Sequence, residues 1–279
     1  VDLPTILTKK KKPYPIPIKE LKKIGRENKE LERSGIEKPL EPPKNGLLVP
    51  DLVPVAHNVL DAWKILIRGV SQLLQVIPVY ACSDCSAVHV AEIGHEIRDC
   101  LGPTNGRRYY FHSWVKASVS DILVPIESYH MYDPFGPRID HDDRFGYDRI
   151  PAIMELCIQA GVDIPEYPSR RRTEPVRMIG RKVIHRGGSV TDPRPYRDGN
   201  SSVLVDLDPC GASNHAAPLQ TEVPGIAQET MDAFEVVRSG LTKLMNKYAV
   251  KACGYCSEVH VGTWGHRVKL CGAHKHQWR

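Results

Sequence analysis

Apolar residues recur at helical spacing in two long stretches of the chain. In the first stretch, spacings of three or four positions mark one stripe, formed by Val55, Val59, Trp63, Leu66, Val70 and Leu73. The second stretch has the same stripe in Ile226, Thr230, Phe234, Val237, Leu241 and Leu244. Such a stripe faces a core, so the pattern predicts two amphipathic helices and favours Trp63 and Phe234 as core residues.

Three shorter segments are also predicted to be helical. Residues 113–124 place apolar side chains on one face, and the charged segment 19–33 has helical potential. Residues 152–160 follow a proline and precede a glycine, which helices favour at their start and just beyond their end. The stretch from about 187 to 222 is rich in Gly, Pro and Ser and predicts a flexible linker.

A segment rich in cysteine and histidine occurs twice, at a constant offset of 171 residues. Each copy has the pattern C-x2-C-x9-H-x4-C, and the two copies align without a gap. The pattern residues are Cys82, Cys85, His95 and Cys100 in the first copy and Cys253, Cys256, His266 and Cys271 in the second. Each copy follows one of the two amphipathic helices. The sequence therefore indicates an internal repeat.

Three cysteines and one histidine at this spacing are typical of a structural zinc site. They provide three sulfur donors and one nitrogen donor for a tetrahedron, at about 2.1–2.3 Å from the ion. Because all four positions are filled, no coordination site is left for water, and two structural Zn²⁺ ions are predicted. Disulfides would leave one odd thiol in each copy. An iron–sulfur cluster is the alternative centre, although such clusters favour four cysteines.

Two further histidines and two further cysteines have separate interpretations. His89 and His260 repeat with the pattern, so they are alternative metal ligands to its histidine, or they orient that histidine by hydrogen bonding. Cys157 lies on an apolar helix face and is predicted to be a buried small hydrophobe. Cys210 lies in the linker and is predicted to be a free thiol.

These patterns predict a mainly α fold with small zinc-stabilised clusters of strands and turns. Two tandem repeats, each a helix followed by a zinc cluster, succeed one another along the chain, and the second is truncated at Arg279 relative to the first. The predicted parts are a basic Pro-rich arm, the first zinc repeat, a basic then flexible linker, and the second zinc repeat. They span residues 1–45, 46–175, 176–222 and 223–279.

The formal net charge of +5 lies entirely in the N-terminal arm. Residues 1–44 contain 12 Lys and Arg against 7 Asp and Glu, whereas the rest of the chain has 26 of each sign. The run Lys9, Lys10, Lys11 and Lys12 forms the centre of this arm. A tail of this kind attracts polyanions because it releases their counterions.

Several motifs outside the clusters are specific enough to indicate a family. They are residues 40–47 (LEPPKNGL), 112–114 (HSW), 149–162 (RIPAIMELCIQAGV) and 271–277 (CGAHKHQ). Together with the two clusters they resemble, over nearly the whole chain, the plant APO (accumulation of photosystem one) proteins. The likeness looks closest to the mitochondrial branch of that family.

The resemblance implies a nuclear-encoded organellar RNA-binding protein, with a transit peptide that would precede Val1. It implies that the duplicated zinc domain binds RNA and promotes RNA processing, above all the splicing of group II introns. The implied partners are structured or single-stranded intron RNA, and other splicing factors or a ribonucleoprotein. The expected compartment is the mitochondrion, with the chloroplast as the alternative.

The two clusters differ in residues that suit RNA. Between its first two cysteines the second cluster has Gly254-Tyr255, where the first has Ser83-Asp84. Residues 82–100 carry one Arg against four acids (−3), and residues 253–271 carry two bases against one acid (+1). Exposed aromatic rings stack on unpaired bases, so the second cluster is predicted to contact RNA and the first to be a structural clip. The predicted RNA-binding residues are Lys9, Lys10, Lys11, Lys12, Arg170, Arg171, Arg172, Tyr255, Trp264, Arg267 and Lys269.

An enzyme and a protein adaptor are the competing functions. Zinc deaminases need His-x-Glu and an open metal position, whereas here Glu96 directly follows His95 and Arg267 follows the second histidine. No phosphate-cradling loop or nucleophile elbow is present, so no catalytic residue is predicted. A zinc-dependent adaptor or organellar assembly factor is the alternative function. No apolar run approaches the roughly 20 residues of a membrane span, so no membrane partner is predicted.

Overall fold

The computed structural model describes residues 17–35, 37, 40–85, 87–92, 94–96, 99–100, 113–124, 126–136, 139, 144–180, 182–188, 217–256, 258–262, 264–266 and 271. The helices in these ranges are α1 (Ile18–Ser34), α2 (Val53–Val76), α3 (Val119–Ile122), α4 (Ala152–Gln159) and α5 (Val223–Met245). The strands are β1 (Tyr80–Cys82), β2 (Val88–His89), β3 (Trp114–Lys116), β4 (Glu127–Tyr129), β5 (Arg149–Pro151), β6 (Arg177–Ile179), β7 (Lys182–His185), β8 (Val250–Ala252) and β9 (Val259–Val261). None of these helices has the length and apolar character needed to cross a membrane.

The chain divides into two compact units, and each is built from segments that are distant in sequence. The helical unit comprises Pro54–Ile126 and Pro195–Lys243. The sheet unit comprises Val1–Val53, Glu127–Arg194 and Leu244–Arg279. Both long helices thus share one unit with the first Cys/His cluster, and the second cluster lies in the other unit.

The predicted fold class is wrong on two counts. About 42% of the described residues are helical and about 15% lie in strands, which form three small sheets, so the protein is not mainly α. The prediction that each long helix forms one repeat unit with the cluster that follows it is also wrong, because α5 belongs to the helical unit with the first cluster. Strands of two to four residues are too short for hydrophobic periodicity to reveal them.

Helices α2 and α5 pack against each other in opposite directions in the helical unit. A Cβ added at Gly69 would overlap the Thr230 side chain, and one added at Gly240 would overlap that of Val59. Glycine at these two positions therefore lets the helices approach closely, and each glycine accommodates a side chain of the opposite helix.

Both predicted long helices are confirmed, and the buried face of α5 departs from the predicted stripe only at Phe234. Trp63 is buried as predicted at 7% exposure, whereas Phe234 is 41% exposed. Thr230, Val237 and Leu244 of the predicted stripe are buried, but Ala233, one position before Phe234, is buried in its place. Because the two helices lie so close together, the small Ala233 is buried where the stripe predicts the larger Phe234.

Substitution Gly240→Ala is expected to lower the free energy of unfolding. Overpacking a tight interface costs about 1–3 kcal/mol, more than the roughly 1 kcal/mol that alanine gains over glycine in a helix. The matched control is Gly225→Ala in the same helix, because an added Cβ there meets nothing within 4 Å. It is expected to leave stability unchanged or slightly raised. Chemical denaturation of both variants measures the difference, and an equally stable Gly240→Ala variant would contradict the packing described.

The sheet of the helical unit shows a second departure from prediction. Its strand order is β2-β1-β3, with Cys82 of β1 opposite Trp114 of β3. The predicted helix over 113–124 is therefore wrong for its first part, and helix α3 is confined to four residues after a Ser118 capping box. Pairing with β1 outweighs the weak helical pattern of this segment.

The sheet unit contains a four-stranded sheet of order β5-β4-β9-β8 and the separate hairpin β6-β7. Hairpin β8-β9 carries the second cluster, and its strand β9 pairs in parallel with β4, at Ser128 and Val259. Helix α4, predicted over 152–160, is confirmed and buries six consecutive side chains, among them Cys157 at 0% exposure. Cys157 is thus the buried small residue that its sequence position indicates, whereas Cys210 lies outside the described residues.

Candidate metal centres

The first cluster is assembled around hairpin β1-β2. Cys82 ends β1, Cys85 lies in the turn, and the chain after β2 returns with His95 and Cys100. The Sγ atoms of Cys82 and Cys100 are 3.8 Å apart, and Cys85 Sγ lies 3.8 Å from Nε2 of His95. All four donor atoms lie within 4.8 Å of one another.

The second cluster repeats this arrangement around hairpin β8-β9. The Sγ atoms of Cys253 and Cys271 are 3.8 Å apart, and Cys256 Sγ lies 3.7 Å from Nε2 of His266. Its four donor atoms also lie within 4.8 Å of one another. The structure thus brings together the four pattern residues of each cluster, although the first and the last are 18 positions apart in the sequence.

The donor atoms have the spacing that a tetrahedral ion requires. Ligand distances of about 2.3 Å for sulfur and 2.1 Å for nitrogen place two sulfurs about 3.8 Å apart, and a sulfur and a nitrogen about 3.6 Å apart. The measured separations of 3.7–3.8 Å agree with these values in both clusters. Each cluster can therefore hold a metal ion, with a complete set of four protein donors.

The thiol that begins each pattern is adapted to bear negative charge. Burial alone would raise the pKa of Cys82, but hydrogen bonds from the backbone of Asp84 and Cys85 lower it below its ordinary value. The pKa of Cys253 is lowered in the same way by the backbone of Cys256 and Tyr255, against the effect of burial. A thiolate is the form that binds a metal ion, so these two cysteines favour ligation, whereas burial raises the pKa of Cys256 to about 11.

The two repeated histidines lie behind the pattern histidines. Nδ1 of His95 is 3.4 Å from Nε2 of His89, and Nδ1 of His266 is 3.3 Å from Nε2 of His260. Since the Nε2 atom of each pattern histidine faces a cysteine, this geometry favours His95 and His266 as the ligands. His89 and His260 are placed to fix the ring orientation of these ligands.

The second cluster has an additional carboxylate, Glu258, whose contacts the sequence pattern does not predict. Oε1 of Glu258 lies 2.5 Å from Nε2 of His260 and 3.3 Å from Nδ1 of His266, and Oε2 lies 3.0 Å from Arg144. Burial would raise the pKa of Glu258, but His260, His266 and Arg144 together lower it below its ordinary value. The first copy has Ala87 at the matching position, so the repeat pattern gave no signal for this contact.

The predicted RNA-binding aromatic residues of the second cluster reach the surface. Tyr255 is 39% exposed at the tip of the turn between the paired cysteines, and Trp264 is partly exposed beside His266. Four predicted lysines (Lys9, Lys10, Lys11 and Lys12), together with Arg267 and Lys269, lie outside the described residues.

The three consecutive arginines predicted to bind RNA are engaged within the sheet unit. Arg172 has a side chain that is only 1% exposed and pairs with Asp133, which Arg170 also approaches at 3.6 Å. Arg171 donates to Asp163 and to the carbonyl of Val162. Because Arg172 is buried against a carboxylate, the structure argues against its contacting RNA and assigns it a structural role.

The clusters and the segments around them match a sequence model described as APO RNA-binding, over residues 1–185 and 216–279. Three similar proteins of Arabidopsis thaliana are APO protein 1, chloroplastic, APO protein 2, chloroplastic, and APO protein 3, mitochondrial. They are 62%, 40% and 40% identical to this chain over 100%, 100% and 96% of its length. The chain spans 65%, 63% and 66% of these relatives. No solved structure matches it.

The identities do not favour the predicted mitochondrial branch, because a chloroplastic relative is 62% identical and the mitochondrial one 40%. The family itself is the predicted one. Its model matches far more than half of the residues and includes all eight residues of the two Cys/His patterns. With these matches beside the two metal centres, the chain belongs to the APO RNA-binding family.

Proposed function

We propose that the chain is an organellar RNA-binding protein that promotes RNA processing, with the splicing of group II introns as its specific task. The observation that carries the proposal is the match of the APO RNA-binding family to both clusters and their surroundings. The names of the similar plant proteins place them in the chloroplast or the mitochondrion. The higher identity to a chloroplastic protein supports the chloroplast as the compartment.

The metal in each cluster is proposed to be a structural Zn²⁺ ion. Three thiolates and one imidazole are the donor set of structural zinc, and the separations measured between the donor atoms fit a tetrahedron. A bound ion would tie each hairpin to the chain segment that follows it. No reaction is assigned to the chain, because the protein donors leave no coordination position for a substrate or water.

RNA is proposed to contact the second cluster and not the first. Tyr255 presents an exposed ring where the first cluster has the carboxylate of Asp84, which lies 3.9 Å from Cys100 Sγ. The sequence charge of +1 over the second pattern and −3 over the first acts in the same direction. An unpaired base can stack on the Tyr255 ring while the basic residues of the second pattern neutralise the phosphates of the RNA backbone.

Substitution Tyr255→Ala is expected to weaken RNA binding by about 1–3 kcal/mol, the usual value of one base–aromatic stack. The matched control is Asp84→Ala at the equivalent position of the first cluster, which is expected to leave the affinity nearly unchanged. Fluorescence anisotropy with single-stranded intron RNA measures both variants, after zinc content and circular dichroism establish that they are folded. Equal losses in the two variants would contradict the assigned roles of the clusters.

A salt titration separates RNA binding from a protein-adaptor function. Affinity that depends on phosphate contacts falls steeply as salt concentration rises. We expect such a fall for this chain, whereas no measurable RNA affinity at low salt would overturn the proposed function.

A further inference from the structure

The first cluster is capped by a side chain of its own unit. The Trp114 indole makes edge-to-face contacts with the two histidines of this cluster, with 4.7 Å from its ring centroid to that of His89 and 4.7 Å to that of His95. It also lies directly against Gly94, where an added Cβ would overlap the indole ring. A bicyclic aromatic ring thus fills a hollow formed by two imidazoles and a glycine.

In the second cluster the two histidines keep the same mutual geometry, and among the described residues the Trp264 indole lines the pocket beside them. The ring centroids of His260 and His266 are 5.4 Å apart at an interplanar angle of 58°, against 5.5 Å and 56° for His89 and His95. At Gly265, the counterpart of Gly94, no described atom lies within 4 Å of an added Cβ. The pocket opens here. Its lining includes Met131, Ile139, His260, Trp264, Gly265 and His266.

We propose that this hollow, at His260, Gly265 and His266, binds one unpaired purine base of RNA. A purine resembles the indole that fills the equivalent site, since both are flat, bicyclic aromatic systems. The imidazoles supply ring contacts to such a base. The apolar side chains of Met131 and Ile139 cover the uncharged ring surface of the base. The inference rests on the proposed function and adds to it a specific site and a class of base.

A peptide strand is the rival occupant of this hollow. Trp114 is delivered to the first cluster by β3, which pairs with the outer edge of β1. The corresponding edge of β8 has no partner strand among the described residues. The charge favours RNA, however. Exposed Lys247 lies just before β8, exposed Lys251 lies on it, and the second pattern carries a net charge of +1.

The test compares short oligouridines that carry one central adenosine, guanosine or cytidine. Anisotropy with the zinc-loaded chain is expected to give about tenfold tighter binding for either purine than for cytidine. Gly265→Leu is expected to abolish this purine preference while binding to plain oligouridine is retained. The backbone at Gly265 is not left-handed and an added Cβ meets no described atom within 4 Å, so the variant should fold.

The matched control is Gly225→Leu, which places the same side chain at another open glycine in the helical unit. It is expected to retain the full purine preference. RNA binding without any purine preference would overturn the inference and leave the proposed function intact, whereas a chain that binds none of the oligonucleotides would contradict the proposed function itself. A preference that survives Gly265→Leu overturns the inference. Absence of the purine preference together with tight binding of a peptide of residues 111–118 also overturns the inference.

Discussion

The Cys271→Ser variant is expected to lose the metal ion of the second cluster and to unfold the hairpin that carries Tyr255. Cys271 is 2% exposed and its Sγ lies 3.8 Å from Cys253 Sγ, so the substitution removes one of the four donors of the cluster. Structural zinc contributes about 10–16 kcal/mol in finger peptides. Most domains are stable by only about 5–15 kcal/mol in total, so the loss is comparable to the whole stability of the sheet unit.

The measurement is metal content per chain together with thermal unfolding followed by circular dichroism. The parent chain is expected to hold two zinc ions and the variant one. RNA binding is expected to disappear with the second ion. Strand β9 joins the cluster to the four-stranded sheet, so unfolding of the hairpin β8-β9 also disturbs β4. Two retained ions with an unchanged melting curve would refute the assignment of Cys271 as a ligand.

The matched control is Cys157→Ala, which removes a thiol from the same unit. Cys157 is fully buried in α4, and burial raises the pKa of its thiol to about 12. It is therefore neutral at physiological pH and unsuited to bind a metal ion. This variant is expected to retain both zinc ions and to lose only the modest stability that follows from a small cavity.

Long elements and the metal centres could be predicted from the sequence, because each leaves a regular pattern. Helix α2 has an apolar stripe, and the four donors of each cluster keep the same spacing in two copies. The same approach failed for Phe234, whose position in the stripe suggested burial. The rest of the α5 stripe is buried or half-buried as predicted, but the burial of Ala233 in place of Phe234 follows from the close approach of the two helices, which only the packed structure reveals.

Contacts between distant segments could not be predicted, since no local pattern encodes them. Arg144 meets Glu258, and strand β4 pairs with β9, although neither pair is close in sequence. The sequence predicts that Arg172 binds RNA, because charge alone does not show burial. A buried arginine becomes apparent only when its carboxylate partner, Asp133, is seen beside it.

Glu155 is the clearest example of a residue whose contacts with distant segments the sequence does not reveal. It is a carboxylate with 0% exposure in the apolar helix α4. Its Oε2 lies 2.8 Å from Nδ1 of His130, whose Nε2 is 3.0 Å from the carbonyl oxygen of Pro168. Its Oε1 accepts hydrogen bonds from the backbone of Met131 and from Gln159. Gln159 in turn donates to the carbonyl of Val261 in β9, so this carboxylate links α4, the end of β4 and the strand beside the second cluster.

Substitution Glu155→Ala is therefore expected to lower the free energy of unfolding by about 3–5 kcal/mol. It leaves the backbone N–H of Met131 and one ring nitrogen of His130 buried without an acceptor, and it opens a cavity in the core of the sheet unit. Chemical denaturation of the zinc-loaded chain measures the loss. Metal content is expected to stay at two ions under native conditions, because no metal ligand is removed.

The matched control is Glu127→Ala, which removes a carboxylate of the same unit at a solvent-exposed position. Glu127 pairs with Arg149 at 3.0 Å, and the two side chains are 42% and 59% exposed. An ion pair in that environment contributes less than about 1 kcal/mol, because water and salt screen it. A loss several times larger for Glu155→Ala than for Glu127→Ala would establish that burial and the number of donors, not charge pairing as such, make Glu155 essential. Equal losses would show that the hydrogen-bond network around Glu155 does not support the sheet unit.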